Sequence, residues 1–354
     1  MSKKNIYLSL ILVVVFTFLF ACTTLAEEVV IYGFAGNWDL WFTDWAKEFK
    51  SETGIEIQYL SGPAVQMYQK ILSEKDNPKV DVILTQTALN YLLASKGLLE
   101  DMPWDEMSCS KNIDDKWKTE NIAPWGYDLF MMGYNRDYVK KEDGPKKWID
   151  LVDSKYKNKL MLYEPNCENA VKPWLIMREK YGEEKAWEYL IGMYKNVAKT
   201  ANSPGDMENT MATGVAPIGV MCMGNVMVVN LQAGGNVQSV PPEEGAFLQL
   251  NTISIMKNCT NKDAAVKFIN WFLSEHAQND IMNDLGISIS INNNVKLTNE
   301  DVREIGLAGH SVDEILETAY VPDWGYWTEG VEGDKTKLEL LIDEIERKIK
   351  GLKN

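Results

Sequence analysis

Apolar positions along the chain switch repeatedly between two periods. Val29, Val30, Ile31 and Tyr32 form a short continuous apolar run that breaks at Gly33-Phe34-Ala35-Gly36-Asn37-Trp38. Four-residue spacing then takes over at Trp41, Trp45 and Phe49, with Asp39 available as a cap and Gly54 as a stop, which predicts an amphipathic helix. Ile55, Ile57 and Tyr59 alternate as a strand; Val65, Tyr68, Ile71 and Leu72 share one helical face; Val80 to Leu84 reads as another strand; Ala88 to Ser95 reads as a helix closed by Gly97. Strict strand–helix alternation predicts an α/β fold with a mostly parallel sheet flanked by helices.

The run IAPWGYDLFMMGYNRDY, residues 122–138, is apolar without helical period and is expected to be extended. A strand at Leu160 to Tyr163, helices near 171–181 and 183–195, a strand at Val215 to Met221, a helix from Asn225 to Gln232 and a strand at Val237 to Val240 make a second α/β unit. Another extended run covers 247–256, and helices resume at Asp263 to Leu273, Glu275 to Leu285 and Leu338 to Ile349. The economical architecture is two lobes joined by two extended crossings, near 124–135 and 247–256. The first lobe is discontinuous, 28–130 plus 252–354, and the second is 131–251. Such lobes bind ligands beyond the carboxyl ends of their strands, so the loop after the opening strand should face an interlobe cleft. Its two glycines permit close backbone approach, and Trp38 can wall off or stack on a ligand.

The N-terminus changes the compartment. Lys3 and Lys4 precede an apolar run from Ile6 to Ala21 that meets Cys22, the layout of a secretory signal peptide over residues 1–21. Cys22 stands where a bacterial lipoprotein carries its lipid, and an ordinary signal cut after Ala26 is the alternative. The run is too short for a confident membrane span. Cleavage before Cys22 leaves 333 of the 354 residues, enough for two lobes, and shifts the formal charge from −15 to −17. That balance argues against a nucleic-acid partner. Cys109, Cys167, Cys222 and Cys259 form no Cys-x-x-Cys pair, so buried free thiols are expected rather than zinc, although an oxidising compartment permits a disulfide. No Gly-x-Ser-x-Gly elbow, His-Glu-x-x-His or phosphate loop occurs, and the two histidines, His276 and His310, lie in late segments. Neither an enzyme nor a cofactor is expected. Met221, Met223 and Met227 read as core.

Several stretches, in order and spacing, resemble one family: FKSETGIEI, VDVILTQTA, GYNRDYV, PKKWIDLVDSKYKNKLML and PPEEGAFLQLNTISIMKNCTNKDAAVKFINWFLSEHAQ. They are similar to the extracellular solute-binding proteins of bacterial ABC importers, in the group of polyamine, ferric-iron, thiamine and phosphonate binders. The resemblance implies a type II periplasmic-binding fold that closes on one solute by hinge bending and hands it to a membrane permease, as a monomer outside the cytoplasm.

Asn37 and Trp38 in the first loop, and Thr85, Gln86 and Thr87 after the third strand, are candidate ligand-binding residues. Trp125 and Tyr127 sit where polyamine binders present aromatic rings. Glu164 and Glu168 follow the strand at Leu160 to Tyr163, and Glu168 falls where polyamine binders keep a Glu. Asp206 and Asn225 lie near further loops, and Asn251 stands where polyamine binders carry an Asp. No Tyr-Tyr pair of the kind that holds ferric iron in this family is present, so iron would need scattered ligands such as Tyr32, Tyr127 or Glu164. A small organic cation or amine-bearing solute is therefore expected, with a ferric-iron importer component as the alternative. From another class, a surface antigen or chemoreceptor-partner lipoprotein would carry the same features.

Overall fold

The structure is a computed structural model that describes residues 27–231, 234–332 and 335–353. The expected signal peptide and the expected lipid site Cys22 lie outside the described residues. Among those described, no helix is long and apolar enough to cross a membrane.

The chain opens with β1 (Glu28–Gly33) and α1 (Asn37–Thr53), then β2 (Glu56–Ser61), α2 (Ala64–Glu74), β3 (Val82–Gln86) and α3 (Thr87–Ser95). β1 pairs in parallel with both β2 and β3. Its side chains bury both ways: Val29 and Ile31 enter the cluster of Phe42, Trp45, Phe49, Phe268 and Phe272, while Val30 and Tyr32 enter the opposite one. A strand covered on both faces accounts for the continuous apolar run. In α1 the buried stripe is Phe42, Trp45 and Phe49, so Trp41 is turned out of it. The cap position is Gly36, at φ 92°, rather than Asp39, and Gly54 closes the helix in the left-handed region at φ 77°.

β4 (Ala123–Asn135) is the first expected crossing. β5 (Leu160–Tyr163), α4 (Glu168–Tyr181), α5 (Glu183–Lys195), β6 (Val197–Ala201), α6 (Pro204–Ala212), β7 (Ile218–Cys222), α7 (Met223–Leu231) and β8 (Val237–Val240) build the second unit. β9 (Phe247–Ile255) is the second crossing, followed by α8 (Lys262–Phe272). The strand order is β2-β1-β3-β9-β4-β7-β5-β6, with β8 paired to β4. The sheet is parallel only in its two wings, because both crossings run antiparallel to their neighbours. Ala123 to Phe130 pairs with β9, and Phe130 to Tyr134 with β7, so β4 belongs to both halves.

The edge strand β6 and helix α6 escape the hydrophobic pattern, since β6 is mostly exposed or half-buried. Signals for α6 are nonetheless present: Pro204 in the first turn, and Ser203 capping the N–H of Asp206. The last helix, Lys337–Lys350, packs against α4 and α5, although the sequence reading assigns its segment to the first lobe. Cys109, Cys167, Cys222 and Cys259 are free thiols.

Asp81, just before β3, ties β1 to the approach to α8. Its buried carboxylate accepts from the N–H of Val30 at 2.9 Å, the N–H of Asn261 at 2.9 Å and the Asn261 amide at 3.1 Å. Asp81→Ala leaves these donors without an acceptor and should lower unfolding stability by about 3 kcal/mol, with Asp81→Asn losing less. Urea unfolding at neutral pH measures this, and an unchanged midpoint for Asp81→Ala would refute it.

Candidate functional site

Beyond the carboxyl ends of β1, β3, β5 and β7 lies an open cleft whose empty space, together with the solvent at its mouth, amounts to about 610 Å³. One wall is the loop after β1 and the start of α1: Phe34, Ala35, Asn37, Trp38 and Trp41. That loop is fixed from behind by Tyr59, whose hydroxyl donates to the Phe34 carbonyl at 2.6 Å and whose ring stacks on Phe42 at 3.8 Å. Gln86 at the end of β3 and Asn251 on β9 continue the lining. The opposite wall is Tyr163, Pro204, Gly205, Glu208, Cys222, Gly224 and Asn225, and Asp128 lies on β4 between the walls. Helices α1, α6 and α7 all begin at the cleft, so each turns its N-terminal end toward it.

Five of the expected residues therefore meet in one place: Asn37, Trp38, Gln86, Asn225 and Asn251. Trp38 both lines the cleft and packs, with ring centroids 4.8 Å from Phe34, 5.3 Å from Trp41 and 5.7 Å from Trp125. Seven others do not line it, for local reasons. Thr85 is buried on β3, where its carbonyl accepts from Thr252 Oγ1 at 3.1 Å. Thr87 is spent on the Leu250 carbonyl, to which its hydroxyl donates at 2.6 Å. Trp125 is the extra residue at a register shift in β4 and is fully buried behind Trp38, against Phe272. Tyr127 stacks instead on Trp117 at 6.4 Å. Glu164 accepts from the Thr200 hydroxyl, and Asp206 pairs with Lys199. Glu168 opens α4 half-buried, and burial raises its carboxyl above the usual range against the opposing pull of Lys172.

Two carboxylates that the sequence reading passed over do line the cleft. Asp128 is 5% exposed; its Oδ1 accepts from the N–H of Leu129 at 2.7 Å, and its Oδ2 lies 3.2 Å from the N–H of Gly224. Gly224 is required there, since a Cβ would stand 2.5 Å from the Ile287 carbonyl oxygen and 2.9 Å from Asp128 Oδ2. Glu208 is 7% exposed, and its Oε1 accepts from Asn225 Nδ2 at 2.9 Å, while Asn225 Oδ1 accepts from the N–H of Cys222 at 3.2 Å. Burial raises both acids to about 7, against backbone donors at Asp128 and the Asn225 amide at Glu208. Neither sits in an ion pair among the described residues, although the Lys172 charge also pulls on Asp128 from a distance. A lone Asp inside an apolar strand, as in PWGYDLFMMG, is the signal that could have found Asp128.

Lys172 is the third unforeseen group. It lies on α4 at 1% exposure, with Nζ 4.7 Å from the Phe130 ring centre and 5.7 Å from that of Phe247. It donates to Asn169 Oδ1 and, at 3.5 Å, to Gln86 Oε1. Among the described residues no three His, Cys, Asp or Glu side chains group so as to hold a metal ion. Met221, Met223 and Met227 are all buried. His276 pairs with Glu48 on the surface.

Known proteins bear on this geometry. The spermidine/putrescine-binding periplasmic protein of Salmonella typhimurium is 25% identical over 281 residues, covering 71% of this chain and 77% of that protein. A putative 2-aminoethylphosphonate-binding periplasmic protein of the same organism is 23% identical over 314 residues, covering 84% of this chain and 88% of that protein. The structure of the periplasmic binding protein AfuA from Actinobacillus pleuropneumoniae, with fructose-6-phosphate bound, superposes with a TM-score of 0.73 at 21% identity, covering 92% of this chain and 99% of that one. The fold is thus the two-lobe, type II form of the periplasmic binding proteins. Residues 44–304 match the sequence profile of the family described as bacterial extracellular solute-binding protein, and the chain belongs to that family.

Proposed function

We propose that this protein is the solute-binding component of an ABC importer and captures a small amine-bearing solute, a polyamine-like or other organic cation, in the cleft. The observation that carries this is the pair Asp128 and Glu208, two buried carboxylates facing an aromatic wall with no ion-pair partner of their own among the described residues. A buried ionised acid is costly unless a cation meets it, and an ammonium group supplies that cation together with its hydrogen-bond donors. Phe34, Trp38 and Trp41 suit the methylene chain of such a solute and its cationic end. Both relatives described above are named for solutes that carry an amine. Ferric iron is the competing solute, and it would call for a cluster of oxygen ligands.

Delivery to a permease would follow closure of the two halves about β4 and β9, driven only by contacts better made in the closed state. A lipid on Cys22 would hold the protein at the membrane outside the cytoplasm.

Titration calorimetry of stripped protein with putrescine, spermidine, thiamine, 2-aminoethylphosphonate and ferric citrate tests the reading. An amine should bind, and Asp128→Asn or Glu208→Gln should weaken it about 30-fold, the equivalent of about 2 kcal/mol for a buried charge pair. Binding of ferric citrate alone, undiminished by Trp38→Ala, would overturn it.

The raised acids also set a pH dependence. Without ligand, their contribution to stability is fully present below the ordinary carboxylate range and is lost as pH rises through about 7, where the folded protein must ionise them. An ammonium ligand favours the ionised forms, so amine affinity should rise between about pH 5 and about pH 8, with protons released on binding. Calorimetry in buffers of different ionisation enthalpy reads that release, and proton uptake would contradict the assignment.

Cys22→Ser should move the protein from the membrane to the soluble fraction. Retention of the variant on membranes after a salt wash would exclude the lipid anchor.

A further inference from the structure

The amide groups of the cleft have defined orientations. Asn251 Nδ2 donates to Ser288 Oγ at 3.2 Å, which leaves Asn251 Oδ1 as an acceptor beside Asp128 and Glu208. Gln86 is held the other way round. Its Oε1 accepts from Lys172 Nζ at 3.5 Å, so its NH₂ group is the free end, and no acceptor takes it up among the described residues. The lining thus carries acceptors at Asp128, Glu208 and Asn251 and a donor at Gln86.

Behind that donor stands a full positive charge. Lys172 is 1% exposed and lies between the Phe130 and Phe247 rings, and no Asp or Glu reaches it at ion-pairing distance among the described residues. Glu168 lies four residues earlier on α4, but the ammonium is taken by Asn169 Oδ1 instead. Asp128 is turned onto the N–H groups of Leu129 and Gly224. Asp128 and Glu168 attract this buried ammonium through space, but no carboxylate meets it directly, so it still lacks an anion in contact. The open route to one runs through Gln86 into the cleft.

We propose that the solute is a zwitterion, a primary amine whose far end is a carboxylate or phosphonate received by the Gln86 NH₂ group with the Lys172 ammonium behind it. This rests on the amine reading of the same cleft and adds the second charge. Lys172 acts as a positioning residue: it orients the Gln86 amide and supplies the positive potential that separates an amino acid from a diamine of equal length. Asp128, Glu208 and Asn251 receive the ammonium end in either case.

Putrescine and 4-aminobutyrate differ at one end of a four-carbon chain and so isolate this term; 2-aminoethylphosphonate tests the phosphonate form. In titrations of stripped protein, 4-aminobutyrate or 2-aminoethylphosphonate should bind about tenfold or more tightly than putrescine, and which of the two binds decides the acid group. Lys172→Met should remove that preference, and Gln86→Glu, which turns the donor into an acceptor on the cleft lining, should invert it toward putrescine. The Gln86 variant leaves the core intact if Lys172→Met fails to fold. Tighter binding of putrescine by the unaltered protein, or a Gln86→Glu variant that weakens all three equally, overturns the zwitterion while leaving the amine reading standing. Failure of all three to bind overturns the zwitterion, and the amine reading falls with it only if spermidine and thiamine also fail to bind.

Discussion

Everything at the cleft depends on the antiparallel ladder between β4 and β9. These two strands connect the wings of the sheet, and their register sets Gly126 opposite Asn251, Asp128 opposite Gln249 and Phe130 opposite Phe247. Residues opposite one another share a face, so the ladder puts Asn251, Asp128 and the rings that hold Lys172 on one side of the sheet. A slip of one residue would exchange the two faces and take the Asp128 carboxylate out of the cleft. The register shift between Pro124 and Gly126 absorbs Trp125 into the core behind Trp38 and lets Gly126 lie against Ser288, where a Cβ would stand 2.5 Å from Ser288 Oγ.

The ladder also explains how acids can be buried so close to the middle of the molecule. Backbone N–H groups at the start of α7 meet Asp128, and the Asn225 amide meets Glu208, each satisfying part of the carboxylate. Burial still outweighs those donors and raises both acids to about 7. In the proposed reading that electrostatic demand is met by the ammonium group of the ligand, which would give the cleft affinity for charge without a large attractive surface. The aromatic wall adds rigidity: Phe34, Trp38, Trp41 and Trp125 lock one another, and Tyr59 pins their loop from below.

The C-terminal segment braces the same region from behind. Tyr320 forms a bridge with Phe247, the Trp324 ring lies 6.3 Å from that of Phe247, and Arg178 of α4 sits between Trp174 and Trp327. Tyr68 of α2 donates to Glu339 at 3.2 Å, so one segment touches the first unit, the crossing and the second unit together. Short-range pattern places it in the first lobe and could not show that it touches both, because its amphipathic helix carries no record of which surface covers its apolar stripe.

Most elements were legible along the chain because burial leaves a periodic trace. The run at Val29 to Tyr32, the Leu160 to Tyr163 strand, the extended crossings and the helices ending at Gly54 and Tyr181 all carry it. The residues that end strands at the cleft, Gln86 among them, followed from the rule that α/β sheets bind at their carboxyl ends, as did the loop bearing Asn37 and Trp38. Only the tertiary structure decided which polar groups of those segments face the cleft. Thr85 and Gln86 are neighbours, but the pleat sends their side chains to opposite faces; Trp125 and Asp128 are three apart, and a bulge buries one while the ladder exposes the other to the cleft. Glu208 comes from a helix that the hydrophobic pattern misses and Lys172 from one that reads as ordinary, and their meaning arises from the strands they cross. Local periodicity reports that a side chain is buried, whereas the partner it is buried against is set by pairings between residues over a hundred positions apart, which no window of sequence contains.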